Sequence, residues 1–304
     1  MDLSVMAGDL GAHIRMDEQN TPFVDDPCIK SLEDYEKLEV PDVTKGRSNV
    51  LVKGTGMFVK ELASQVITAA FLEGPLLALT QSRGAEFVFK DMYESESSRA
   101  AVHKALHTIT EYDKEMVKAF AQEKPAGLVW DYLWGSYSCL GDTEYNEFEG
   151  QHKYAGCLNE LVVKEGMANC VHNCADLPHL DTQVKQYKST IYSMAYYPLI
   201  PGSPTAKEVI AKGYADNCLM AGNIDPQGYI RWTPEKMQKT TMAAGKSYAE
   251  YFVKERIKRT GATDVKVKMD VDEHRFCDGY GQEMKFTNWV DLTATATGKP
   301  IIKL

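Results

Sequence analysis

Gly166-Met167-Ala168-Asn169-Cys170-Val171-His172-Asn173-Cys174-Ala175-Asp176-Leu177-Pro178 is the stretch whose reading decides the fold of this 304-residue chain. Gly166–His172 is apolar on both faces and then breaks abruptly into polar residues and a proline. That is the pattern of a parallel strand covered on both sides, not of a half-exposed one. Four further runs have the same character: Gln65–Leu72, Gly127–Trp134, Thr190–Tyr197 and Asn217–Ala221. The segments between them read as helices. From Ser98 to Glu123, Val102, Leu106, Ile109, Met116 and Phe120 recur at helical spacing. Ser31-Leu32-Glu33-Asp34 resembles a capping box, and Ser203-Pro204 and Thr233-Pro234-Glu235 place an N-cap hydroxyl before a first-turn proline. Gly213 and Gly261 stand where C-cap glycines would. Strands alternating with helices imply parallel βαβ units, hence an α/β fold, barrel or open sheet. A sixth strand is expected near Leu3–Ala7. The run Asp264–Asp272, where Val265, Val267, Met269 and Val271 alternate with charged residues, reads as a half-exposed strand.

The chain is long enough for a large core, and no linker rich in Pro, Gly and Ser divides it, so a single domain over residues 1–304 is expected. Asp and Glu number 43 against 34 Lys and Arg, a net charge of −9, which argues against nucleic acid as a partner. The densest basic run, Lys254–Arg259, is broken by Glu255 and reads as a solvated helix face. The N-terminus has no basic segment followed by an apolar core. The longest apolar run, Val66–Leu72, is far short of the roughly 20 residues of a membrane helix. A cytoplasmic protein without a membrane segment is expected, and its seven cysteines are then reduced thiols.

In parallel α/β proteins chemistry collects at the C-terminal ends of strands, which is where His172 and Cys174 fall. Residues two apart share a side of a strand. The pair could thus offer an imidazole nitrogen and a thiolate to one ion, a set that suits zinc. The plainer alternative is a half-buried histidine beside a core cysteine. Cys277, in the polar segment Asp272–Gly279, could add a third ligand, with His274 or a carboxylate as its competitor, and the other cysteines read as packing. Trp130-Asp131-Tyr132-Leu133-Trp134 sets a carboxylate among aromatics at another strand end. Desolvation there would raise the Asp131 pKa as a general acid requires, although an Asp capping the loop fits equally. Glu73, before Gly74-Pro75, is a weaker case of the same kind. Gly222-Asn223-Ile224-Asp225-Pro226 reads as a tight turn at a strand end, within reach of a ligand. No G-x-G-x-x-G follows a strand, and there is neither a Walker loop nor a G-x-S-x-G elbow.

As an ordered set, these segments resemble the uroporphyrinogen decarboxylase superfamily, and within it the zinc- and corrinoid-dependent methyltransferases. The resemblance runs from Leu10-Gly11-Ala12 and Asp17–Val24 through Ile29–Leu38, Glu73-Gly74-Pro75-Leu76-Leu77, the strand ending at Asp131 and Val171–Asp176. It closes at Gly222–Pro226 and Thr233-Pro234-Glu235, covering roughly residues 10 to 260. It implies a (β/α)8 TIM barrel with zinc held by His172 and Cys174, matching the family's H-x-C, and by Cys277 as the more distant cysteine. It also implies catalytic roles for Asp131 and Glu73, and substrate contacts from Trp130, Tyr132, Trp134, Asn223 and Asp225. The implied reaction moves a methyl group between a small methylated substrate or thiol and a corrinoid (cobalamin) carried by a partner protein, with a homodimer as the expected assembly. A metal-independent decarboxylase of the uroporphyrinogen type and a non-catalytic barrel subunit are the alternatives. The Arg-rich N-terminal segment of the decarboxylases has no counterpart here, and the sequence after about Thr260 diverges, so altered terminal elements are expected.

Overall fold

The computed structural model describes residues 3–18, 21–150, 153–194, 205–222, 231–237 and 239, and the backbone of four short stretches, 266–268, 273–277, 283–287 and 293–295. The chain falls into two compact units, Met1–Ser193 and Met194–Leu304.

The first unit opens with helix α1 (Val5–Asp9), where the sequence predicts a strand. Apolar Val5, Met6 and Ala7 are buried, but on a helical turn; a short apolar run does not by itself separate the two. An antiparallel pair, β1 (His13–Arg15) and β2 (Phe23–Asp26), follows. Helix α2 (Leu32–Glu36) begins at the predicted capping box, in which the Ser31 N–H donates to Asp34 Oδ2 at 2.9 Å. Helix α3 (Gly46–Leu62) starts against Asp9, whose carboxylate accepts from the Arg47 and Ser48 N–H groups at 2.9 and 2.7 Å. A side chain from a distant segment thus satisfies amide donors that a helix start leaves open.

The parallel sheet takes its strands in chain order: β3 (Ala69–Glu73), β4 (Gly127–Asp131), β5 (Ala168–Asn173) and β6 (Ile191–Met194). Each begins or ends within a few residues of a predicted apolar run. Helices α4 (Pro75–Arg83), α5 (Ala85–Glu94) and α6 (Glu96–Glu123) lie between β3 and β4. Helices α7 (Asp142–Phe148) and α8 (Ala155–Lys164) lie between β4 and β5, and a π-helical segment, Asp181–Gln186, precedes β6. Helix α6 starts at Ser95, whose hydroxyl accepts the Ser98 N–H at 3.1 Å, and its five predicted apolar positions are all fully buried. Burial of each such side chain contributes about 1.5–3 kcal/mol, so this one helix anchors much of the helical layer.

The second unit contains α9 (Ala206–Ala211), a 3₁₀ turn (Tyr214–Asp216) and β7 (Leu219–Gly222). Gly213 has the left-handed φ of +77° expected past a helix end, and Thr233 Oγ1 accepts the Lys236 N–H at 3.3 Å as an N-cap. Strand β8 (Lys266–Lys268), inside the expected half-exposed run, pairs antiparallel with β11 (Thr293–Thr295), and β9 (Glu273–Cys277) pairs with β10 (Glu283–Thr287). Ser203, Pro204 and Gly261 lie outside the described residues. Among the described residues no helix is long and apolar enough to cross a membrane.

Candidate functional site

Pairing between β3, β4 and β5 is in register: Glu73 lies opposite Asp131, and Asp131 opposite His172. Side chains alternate along a strand, so this rung shares one face, while the preceding rung Leu72–Trp130–Val171 turns to the other. The two rungs differ in chemistry as well as in direction. Leu72, Trp130 and Val171 form an apolar buried layer, whereas Glu73 and Asp131, only 2% and 5% exposed, bring carboxyl groups to the C-terminal strand ends. The ladder continues past them, with the Gly74 N–H donating to Asp131 O at 2.8 Å and the Tyr132 N–H to His172 O at 3.0 Å. On the far side, Ser193 of β6 shares a 3.0 Å hydrogen bond with His172 Nδ1. Four neighbouring strands therefore present Glu73, Asp131, His172 and Ser193.

Burial dominates the electrostatics. It pushes the Asp131 carboxyl up to about 6 against the opposing pull of the Leu133 N–H, and Asp131 Oδ1 has no hydrogen-bond partner among the described residues. Half-buried His172 is pushed below its ordinary value by desolvation and is therefore neutral near pH 7. Cys174 follows β5 on the exposed surface. Desolvation by the surrounding protein raises its thiol, and the Asp131 charge raises it further, which places Asp131 and Cys174 within electrostatic reach of one another.

Glu149 joins this group without having been singled out in the sequence. It caps α7, is 0% exposed, and neither carboxyl oxygen has a hydrogen-bond partner among the described residues. Burial first and the Asp131 charge second push it up to about 8, opposed by the Leu76 N–H at the start of α4. Gly74 makes room for it: a Cβ there would lie 2.4 Å from Tyr132 Cδ1 and 3.0 Å from Glu149 Oε1, so only glycine fits this turn. A signal was present in the sequence. Glu149 lies four residues after buried Tyr145, on the same helical face.

The aromatic residues expected to contact substrate have partners within the protein. Trp130 and Tyr132 are fully buried on the face opposite Asp131, stacked at 5.9 Å and 17°, and Tyr132 OH accepts from Asn159 Nδ2 at 2.8 Å. Trp134 Nε1 donates to Thr80 Oγ1 at 2.8 Å, and its ring meets the edge of Phe89 at 5.0 Å. Cys277 ends β9, on the same strand as His274, and the side chains of both lie outside the described residues. So do Asn223 and Asp225. Among the described residues no three His, Cys, Asp or Glu groups converge as a metal site. His172 and Cys174 do fit two of the positions of a zinc site. They supply the N/S pair, the imidazole is neutral, and Nδ1 is engaged by Ser193, which leaves Nε2 for a ligand as in metal-bound histidines.

Comparison with solved structures finds the fold again in a methyltransferase from Methanosarcina mazei, with a TM-score of 0.64 at 16% sequence identity, over 83% of this chain and 69% of that one. No curated protein matches the sequence. The family profile of uroporphyrinogen decarboxylase (URO-D) matches residues 1–253. Strands in chain order, polar side chains at their C-terminal ends and the glycine-proline turn after β3 accord with one architecture, the (β/α)8 barrel fold, and the chain belongs to the uroporphyrinogen decarboxylase (URO-D) family.

Proposed function

We propose that the protein is a zinc-dependent methyltransferase that moves a methyl group between a small methylated substrate or thiol and a corrinoid carried by a partner protein. The observation that carries this reading is the rung of Asp131 and His172 with Cys174 beside it, an acid next to a soft donor pair at the strand ends. Zinc bound by His172 and Cys174, with Cys277 as the expected third ligand, would supply Lewis acidity at an open position. The protein's own groups do the rest. Ser193 fixes the His172 ring through Nδ1. Asp131, with a carboxyl near 6, holds a proton in part of the population at neutral pH and donates it to a heteroatom that loses its methyl group, or takes one from an incoming thiol. Glu73, on the same rung, supplies the second carboxyl from which a substrate can be oriented. The methyltransferase fold neighbour supports the reading, and its low identity leaves the methyl donor to experiment.

Zinc analysis of protein purified without chelator is expected to give about one equivalent per chain, lost in His172→Ala and Cys174→Ser. Incubation with cob(I)alamin and a panel of methylated ethers, amines and sulfides is expected to yield the methylcobalamin spectrum with at least one donor. Zinc retained in both variants would overturn the ligand assignment. A second reading rests on the buried Asp131 alone, since a decarboxylase gripping a tetrapyrrole also needs an aspartate at the strand ends. Conversion of uroporphyrinogen by zinc-free protein would establish it in place of the first.

A further inference from the structure

The residue between the two proposed donors is held more tightly than either. Asn173 is fully buried, and its side chain leaves β5 on the face opposite His172. Nδ2 donates to Tyr132 O at 2.9 Å and Gly135 O at 3.0 Å, both in the segment just past β4, and lies 3.2 Å from Gln183 Oε1 in the π-helical segment. Oδ1 accepts the Ala175 N–H at 2.9 Å, closing a turn in which Cys174 is the central residue. One amide thus ties the end of β5 to the end of β4 and fixes the backbone on which Cys174 stands. The surrounding loops reinforce the clasp: Ser136 Oγ donates to Asp176 O at 2.6 Å and Ser138 Oγ to Asp176 Oδ2 at 2.8 Å. No other side chain of this size offers two donors and an acceptor at these points. Aspartate keeps the acceptor but sets a carboxylate against two carbonyl oxygens, and serine is too short to reach them.

We propose that Asn173 is a positioning residue whose amide holds Cys174 Sγ in place relative to the His172 ring, which Ser193 fixes, so that the two act as one donor pair. The inference deepens the zinc reading given above and rests on it. Partners that orient metal ligands typically account for about 10- to 100-fold in metal affinity, and that is the effect expected here.

The test uses the full-length chain with Co(II) as a zinc substitute, in wild type, Asn173→Asp and Asn173→Ser, with Cys174→Ser assigning the thiolate-to-cobalt charge-transfer band. In both Asn173 variants, with unchanged near-ultraviolet circular dichroism, Co(II) is expected to bind about 10- to 100-fold more weakly, with a diminished charge-transfer band. Peptide mapping after brief iodoacetamide treatment of metal-free protein is expected to show faster labelling of Cys174, released from its turn. Wild-type affinity and band in a folded variant would overturn the proposal. If the buried carboxylate of Asn173→Asp prevents folding, Asn173→Ser decides. If wild-type protein gives no thiolate band, the zinc reading fails, and the labelling rate then decides alone: an unchanged rate in Asn173→Ser overturns the positioning role.

Discussion

Replacing Glu149 with glutamine should make the protein more stable, and by an amount that depends on pH in a prescribed way. The carboxyl is fully buried, without hydrogen-bond partners for either oxygen among the described residues, and titrates near 8 instead of the ordinary 4.5. Below about pH 4.5 the folded and unfolded chains both hold the proton and the group costs nothing through ionisation. Between 4.5 and 8 the unfolded chain releases its proton while the folded one keeps it. Folding is therefore penalised by about 1.4 kcal/mol for each pH unit, roughly 3 kcal/mol at pH 7. Above 8 both states are ionised and the penalty levels off near 5 kcal/mol. Glutamine has the same shape and does not titrate, so Glu149→Gln should gain roughly 3 kcal/mol at pH 7 and almost nothing at pH 4.5. For a unit of this size that is a rise in melting temperature of about 6–12 °C at pH 7. Urea unfolding and thermal scans of both proteins from pH 4.5 to 9 measure it. A stability difference that is the same at pH 5 and pH 8, or a variant less stable than wild type at pH 8, would refute a carboxyl held protonated by burial. The Asp131 charge contributes to the same rise, so in an Asp131→Asn background the Glu149 midpoint should move down without reaching 4.5, because burial is the larger cause.

Two further outcomes follow from the geometry. Asp131→Asn should retain zinc and lower methylcobalamin formation by about 10²- to 10⁴-fold, and the fall in rate above about pH 6, where an Asp131 acting as proton donor is ionised, should be lost from the profile; an unaltered profile would remove Asp131 from proton transfer. Ser95→Ala, which deletes the hydroxyl accepting the Ser98 N–H at the start of the long helix α6, should lower unfolding stability by about 1 kcal/mol in urea titrations at every pH, in contrast to the pH-dependent effect at Glu149.

The sequence made the sheet legible because parallel strands covered on both faces carry apolar runs bounded by abrupt polar breaks. Cys170-Val171-His172 announces the strand and where it turns polar. Boundaries were harder to read. Gly127–Trp134 is apolar except for Asp131, yet the strand ends at Asp131 and Tyr132–Trp134 lie beyond it, since the strand ends where its neighbours end and not where hydrophobicity does. For the same reason the face of each aromatic residue was not legible. Asp131 and Trp130 are adjacent in sequence and opposite in space, and the register of three strands shows that Trp130 and Tyr132 pack on one face of the sheet while Asp131 and His172 share the other. Leu3–Ala7 was read as a strand because five apolar or small residues hold too few periods to distinguish 3.6 from 2. Glu149 was missed because a lone glutamate at a helix end is ordinarily a solvated one. What makes it unusual is its burial beside Gly74 and Tyr132, and then the charge of Asp131, eighteen positions earlier.

The position of one buried polar atom, Asp131 Oδ1, favours a working site over a degenerate one. Among the described residues, unpartnered buried atoms occur at Asp113, Trp130, Asp131, Glu149, Asn159 and Asn169. Trp130 and Asp131 are the last two residues of β4. Asn159 bonds Tyr132, whose hydroxyl is held well above its ordinary value by burial and by the charges of Glu149 and Asp113, among others. Asn169 is on the neighbouring strand, paired with Leu128. Each unpartnered group costs roughly 1–3 kcal/mol, and an apolar residue of similar size in most of these positions would avoid that cost. A barrel kept only as a scaffold has no reason to keep a buried carboxyl with an unpartnered oxygen at the C-terminal end of a strand, where Asp131 stands. An enzyme has one, because a carboxyl can be held near neutral titration only where its charge is poorly solvated. The same burial that weakens the fold at Glu149 and Asp131 is what would let Asp131 serve as a proton donor near neutral pH in the proposed reaction. Removing the penalty at Glu149 should therefore leave the protein more stable, and removing it at Asp131 should leave it inactive.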